Sequence, residues 1–151
     1  MKPGFTLFEI LITVVIMTIG IGLATAWTIR TLERSELLSS TESVVSILRQ
    51  QQVAARINRN NSRHGLALSS DSYTMFEGDA LGSAAPESIQ TFGMSPGLTL
   101  QNISLGGSGS EVVFERHDGS TANSGTFELV HPSSGESYTI LVSELGLIDW
   151  Q

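Results

Sequence analysis

Apolar positions run unbroken near the start of the chain and then thin into a periodic pattern. Between Glu9 and Arg30, the twenty residues 10–29 carry no charge and are dominated by Ile, Leu, Val, Thr and Ala. As a helix rising 1.5 Å per residue they span about 30 Å, the thickness of a bilayer's hydrocarbon core. Farther on, Leu37, Val44, Leu48 and Ala55 fall at offsets 0, 7, 11 and 18, a narrow helical stripe that Val45 and Ile47 widen. No Pro lies between Phe5 and Asn60, where Gly20 and Gly22 are the strong helix breakers. The spacing predicts one helix from Phe5 to about Asn60, about 80 Å long. Its first part, 5–30, is apolar all round, and its second, 31–62, is amphipathic, with the stripe expected to pack on a sheet.

After Asn60-Asn61-Ser62 the period changes from 3.6 to 2. Short strands are predicted at 64–69, 73–77, 98–104, 111–116, 126–131, 138–143 and 147–150, separated by Gly, Ser, Pro and Asp-Gly turn signals. Residues 78–88 and 105–110 read as loops. The expected fold is α+β: a long N-terminal helix packed on an antiparallel sheet or small β-sandwich formed by 63–151.

With 151 residues, the chain has room for one compact domain and one long element. Charged residues are 15% of it, against roughly 25% in an average soluble protein, as suits a β-rich exported domain. Their placement is uneven. From Arg30 to Arg63 six Arg meet three Glu, a balance of +3, whereas from His64 to Gln151 Arg116 alone faces eleven acids, a balance of −10. Cysteine is absent, so the β-rich head depends on its core alone.

Sites for chemistry are not evident. His64, His117 and His131 are dispersed over separate predicted strands or strand ends without zinc-ligand spacing. Ser108, in Gly106-Gly107-Ser108-Gly109-Ser110, lacks the final Gly of a nucleophile elbow. His117-Asp118-Gly119 reads as the two-residue turn of a hairpin joining 111–116 to 126–131. Neither a metal, a cofactor nor an enzymatic activity is expected. Arg49, Arg56, Arg59 and Arg63 provide cations for phosphate contacts, yet a −10 head repels phosphate over a Debye length of about 8–10 Å. Pairing with acids of the head or of neighbouring subunits is the expectation, and nucleic acid is not.

The apolar segment admits three readings: a cleaved secretory signal, a permanent anchor, or a membrane helix later withdrawn from the bilayer. Ala24-Thr25-Ala26 provides a small-x-small cleavage site, which would release a secreted β-domain after Ala26. Against that reading, the stretch before the apolar run is brief, the run is long for a signal, and Glu9 stands at its start. A carboxylate at the centre of a membrane helix is unfavourable by roughly 2.5–3.5 kcal/mol, less near an N-terminus whose dipole favours negative charge. Glu9 therefore needs a partner or another reason, such as snorkelling to the interface at the end of an anchor. A cut after Gly4 would create an amine on Phe5, about one helical turn from Glu9, for the Glu of a neighbouring copy.

Lys2-Pro3-Gly4-Phe5-Thr6-Leu7-Phe8-Glu9, followed by the apolar run, resembles the class III signal of type IV pilins and type II secretion pseudopilins. The resemblance implies that prepilin peptidase removes 1–4, cutting between Gly4 and Phe5, that Phe5 is N-methylated, and that Glu9 sets register by meeting the amine of another subunit. Ser46-Ile47-Leu48-Arg49, Ala54-Ala55-Arg56 and the alternating stretches 64–69 and 73–76 are similar to the GspH/FimT group of minor pseudopilins and minor pilins. So are the closing strands 126–130 and 138–142 with Gly146-Leu147-Ile148. Major pilins of this kind usually have a C-terminal disulfide and major pseudopilins a C-terminal calcium site; this sequence has the residues for neither.

The expectation is thus a structural subunit at or near the tip of a type II secretion pseudopilus or type IV pilus, single-pass in a bacterial inner membrane before assembly, with its head in the periplasm. Other pilin or pseudopilin subunits, the prepilin peptidase and the inner-membrane assembly platform are the implied partners, with exported cargo as a further candidate. The helix Leu37, Val44, Leu48 and Ala55 positions are assigned to packing on the head.

Overall fold

The structure is a computed structural model and describes residues 6–107 and 109–151, with 23–27 and 29 described by their backbone only. The predicted leader 1–4, the Gly4–Phe5 cut and Ser108 lie outside the described residues, as do the side chains of Ala24-Thr25-Ala26. The chain divides into two compact units, Met1–Ser35 and Glu36–Gln151.

One α-helix, α1 (Leu7–Arg56), contributes to both units. Over 7–21 its large apolar side chains, from Leu7 and Phe8 through Ile19 and Ile21, are exposed on every face. Among the described residues no helix is long and apolar enough to cross a membrane; the run 10–29 includes 23–27 and 29, whose side chains are not among them.

Within Glu36–Gln151 the helical stripe meets two four-stranded antiparallel sheets. The first contains β1 (His64–Leu68), β2 (Ser72–Glu77), β3 (Gln90–Gly93) and β5 (Glu111–Phe114) in the order β3-β2-β1-β5. The second contains β4 (Thr99–Leu105), β6 (Gly125–His131), β7 (Glu136–Val142) and β8 (Ile148–Trp150) in the order β4-β6-β7-β8. A single apolar core joins them. Leu37, Val44, Val45, Leu48 and Ala55 of α1 share it with Leu66, Leu68, Val112 and Phe114 of the first sheet and Phe127, Leu129, Ile140 and Val142 of the second. Burying a Leu or Phe side chain of this kind contributes about 1.5–3 kcal/mol, so this cluster holds together a head that has no cysteine.

Four sequence readings are corrected. The helix stops at Arg56 rather than near Asn60, because Asn58 turns into the left-handed region at φ 52 and a 3-10 turn, Arg59–Asn61, follows; Asn tolerates that conformation better than most residues. The strand β3 falls where none was predicted. It has four residues, pairs among the described residues with β2 alone, and stacks Phe92 on Tyr73 with ring centroids 5.4 Å apart. Nor does Asp118-Gly119 close a hairpin. β5 pairs with β1, and β6 with β4 and β7, so the segment between them crosses from one sheet to the other. His117 at φ 74 bends it, and its backbone N–H donates to the Ala55 carbonyl at the end of α1.

β1 is buried along its whole length, where half-buried alternation was expected. Gly65 makes this possible. It faces Phe76 across the β1–β2 ladder, and a Cβ there would fall 2.5 Å from the ring's Cζ.

Candidate functional site

At the start of α1, Thr6 is the N-cap and Glu9 the third helical residue. The Thr6 Oγ1 accepts from the Glu9 N–H at 3.3 Å, beside the backbone bond from the same N–H to the Thr6 carbonyl at 3.1 Å. Thr-x-x-Glu is the pattern of a capping box, and the carboxylate of Glu9 lies in the first turn, where the free N–H groups and the helix dipole favour negative charge. Glu9 is exposed and makes no ion pair among the described residues. It stands between Phe8 and Ile10, 70% and 56% exposed. Its carboxylate is thus a polar point at the end of an apolar surface.

The next turns keep their polar groups to themselves. Thr13 donates its hydroxyl to the Glu9 carbonyl at 2.7 Å and Thr18 to the Val14 carbonyl at 2.8 Å, the internal satisfaction that an apolar environment demands. Among the described residues, no side chain lies within 4 Å of where a Cβ would stand on Gly20 or Gly22.

The second part of the helix holds the head. Leu37, Val44, Leu48 and Ala55 are all buried, joined by the polar Thr41, Gln51 and Gln52. Thr41 satisfies its hydroxyl on the Leu37 carbonyl. Gln52 donates to the carbonyls of Gly119 and Gly146, and Arg49 and Arg56 to those of Ile148 and Asp118. Sequence periodicity missed this row of donors, although Gln52 sits at the edge of the stripe; helical spacing marks which face is buried but not which turns will press carbonyls against it.

Of the arginines weighed as phosphate contacts, Arg63 is paired within the head, to Glu115 at 2.8 Å and Asp79 at 3.1 Å. Its bond to the Glu115 carboxylate, with the charges of Glu115 and Asp79 adding, raises the guanidinium pKa against a smaller opposing effect of burial. His64 is buried with Nε2 at 3.1 Å from the Arg59 carbonyl, and His131 is buried at the end of β6. No group of His, Cys, Asp or Glu among the described residues could hold a metal.

The prokaryotic N-terminal methylation motif matches the chain over residues 2–25. No curated protein matches it by sequence. Among solved structures, the minor pseudopilin EpsH from the Type 2 Secretion System of Vibrio cholerae is similar, at 14% identity and a TM-score of 0.58, over 77% of this chain and 96% of that one. The chain thus carries the prepilin-type methylation motif at the head of its helix, and its fold is that of a minor pseudopilin.

Proposed function

We propose that this chain is a minor pseudopilin or minor pilin, cut by prepilin peptidase between Gly4 and Phe5, methylated on Phe5, and built into a filament through its N-terminal helix. The observation that carries this reading is the coincidence of the methylation motif over 2–25 with a pseudopilin-like fold in one chain. Residues 10–29 act as the bilayer-crossing segment before assembly, with the head on the periplasmic side of the inner membrane. In the filament Glu9 receives the amine of another subunit and fixes register; Leu37, Val44, Leu48 and Ala55 hold the head to the helix. Other pilin-type subunits, the peptidase and the assembly platform are the partners. The work is positional, without catalysis, cofactor or nucleic acid.

The rival reading, a secreted β-domain freed after Ala26, would discard the whole of the matched motif. N-terminal sequencing of the mature protein separates the two. A first residue Phe5, with a methylated amine, is expected; a first residue Trp27 would sink the filament reading.

A further inference from the structure

The two sheets end in edge strands β3, β5, β4 and β8, and at three of these edges the chain's own groups stand in the way of another strand. Along β8, Thr139 and Gln151 exchange backbone bonds, so Ile148 and Trp150 point away from β7. The Ile148 carbonyl accepts from the Arg49 guanidinium at 3.2 Å, and the Trp150 N–H donates to the Asp149 carboxylate at 2.9 Å. β4 is broken by a register shift between Gln101 and Ser104, with Asn102 at φ 50, and its Leu100 N–H donates to the Ser70 carbonyl. β5 has Glu111 at its edge, and that carboxylate accepts from the Leu81 N–H at 3.2 Å. Charged side chains, bulges and covering loops are the means by which sheet edges are withheld from other chains.

β3 has none of these devices. Gln90-Thr91-Phe92-Gly93 contains neither charge nor Pro, and among the described residues no strand lies on its far side. The ladder shows which of its groups are open. The Met94 N–H donates to the Asp71 carbonyl and the Ser69 N–H to the Ser72 carbonyl. Because bonded pairs alternate along an antiparallel ladder, Gln90 and Phe92 face β2, whereas Thr91 and Gly93 aim their N–H and C=O groups off the sheet. Both residues are exposed, and those four groups have no partner among the described residues. Two cavities lie between β3 and α1: one of about 250 Å³ between Ser39, Ser40 and Ser43 and the Gly93 end, and one of about 290 Å³ between Gln50 and Gln51 and the Gln90 end. The open edge thus runs alongside α1, in the opposite direction.

We propose that β3 receives, as a fifth strand of its sheet, an extended segment of a different pilin-type subunit. Outward N–H and C=O groups on alternate residues are what another strand's backbone matches. Its side chains toward α1 come beside hydroxyls and amides, which suits Ser, Thr, Asn or Gln there. A second copy of this chain does not fit. The same edge on two copies meets only across a two-fold axis, which would run one α1 against the other, whereas subunits inserted through one membrane with their heads on one side run their helices the same way. A free exported protein does not fit either, because so few hydrogen bonds do not offset the ordering of a loose segment. A subunit already held alongside by its own N-terminal helix meets the edge at high effective concentration. In that respect the inference rests on the filament reading above.

The chain has no cysteine, and a Cβ on Gly93 would meet no other side chain within 4 Å among the described residues. Full-length Gly93→Cys is therefore labelled with a benzophenone maleimide and irradiated in inner-membrane vesicles of the cells that make it, and the product is sequenced by mass spectrometry. A single partner is expected, a different chain bearing the prepilin-type N-terminal motif. Thr91→Pro, added to the same chain, removes an outward N–H and sets a ring in the path of the strand, while Gln90 and Phe92 keep their bonds to β2. It should lower the product severalfold and leave the urea midpoint in place. Should Thr91→Pro unfold the head, hydrogen exchange of the unsubstituted chain decides: the Thr91 and Gly93 amides should exchange about tenfold or more slowly in vesicles than in the detergent-solubilised chain. No product, a product with a second copy or with a protein lacking the motif, a product indifferent to a folded Thr91→Pro chain, or unslowed exchange overturns the proposal. The N-terminus is sequenced in the same vesicles. Absence of Phe5 there removes the filament reading itself, whereas a Phe5 chain without the product removes this contact alone.

Discussion

The side-chain amide of Gln52 stands 2.7 Å from the carbonyl oxygen of Gly146 and 3.2 Å from that of Gly119. One group on the helix thereby serves two turns distant in sequence, the crossover between β5 and β6 and the turn between β7 and β8. Both bonds are buried, so Gln52→Leu leaves two carbonyls without a donor. At about 1–3 kcal/mol for each stranded acceptor, the loss is expected near 3 kcal/mol. Urea unfolding of the full-length chain in detergent would show it as a lower midpoint; an unchanged midpoint would mean that water replaces the amide without cost.

The same bond marks the limit of what could be read in the sequence. The stripe Leu37, Val44, Leu48, Ala55 was legible because burial of a helix face follows directly from a 3.6-residue period. Most strands were legible from alternation. β3 was not, since Gln90-Thr91-Phe92-Gly93 has one large apolar residue, Phe92, whose partner Tyr73 lies in another strand. The Asp118-Gly119 hairpin failed for a related reason: a turn signal says that the chain reverses, not which sheet it enters afterwards. At the start of α1, Glu9 and the residues around it form a local motif that the sequence displayed, whereas the Thr6 cap on the Glu9 N–H came only with the structure.

Core and surface leucines should separate cleanly. Leu48 and Leu129 are fully buried between helix and sheets, and truncating either to Ala should cost about 2–5 kcal/mol through lost burial and a residual cavity. Leu141→Ala, on the outer face of the second sheet, should cost under about 1 kcal/mol. Comparable losses at Leu141 and Leu129 in the same unfolding assay would contradict the assigned inner and outer faces of β6 and β7.

Asp118 gives a pH dependence with a definite sign. The Ser120 backbone N–H donates to its Oδ1 at 3.1 Å and the Ser120 hydroxyl to its Oδ2 at 3.0 Å. These bonds, the backbone one foremost, hold the carboxyl below the ordinary aspartate value, with the charge of Arg56 a smaller contribution. A carboxylate depressed in the folded state adds stability above its unfolded pKa, and the contribution fades as pH falls through the folded pKa, here below about pH 4. Ser120→Ala removes the hydroxyl bond but keeps the backbone N–H, so the Asp118 titration should move up part of the way to the ordinary value. Carbon-detected NMR titration measures it, and an unmoved midpoint would mean that the hydroxyl bond does not form in solution.

Glu9→Ala should leave membrane insertion and the cut after Gly4 intact while reducing incorporation into filaments. The helix loses one first-turn carboxylate, an effect of about 0.3–1 kcal/mol on its own stability, too small to prevent insertion. On the filament reading proposed above, the interaction lost is with the amine of another subunit. Sheared-filament fractions and membrane fractions compared by immunoblot distinguish the outcomes, and unchanged incorporation would place the register elsewhere.

Two glycines should respond oppositely to alanine. Gly146 sits at φ 78, and a Cβ there would run into the Gly119 carbonyl and the Gln52 amide; Gly146→Ala therefore combines left-handed strain with displacement of the Gln52 bonds, and should destabilise the head by about 2 kcal/mol or more. A Cβ on Gly20, inside α1, would meet no side chain within 4 Å among the described residues, so Gly20→Ala should strengthen the helix by up to about 1 kcal/mol. If the isolated chain behaves this way while filament incorporation of Gly20→Ala falls, the bare position at Gly20 serves a neighbouring helix, because no side chain among the described residues occupies that space. If incorporation is unchanged, neighbouring helices do not approach there, and the glycine acts only through local backbone freedom.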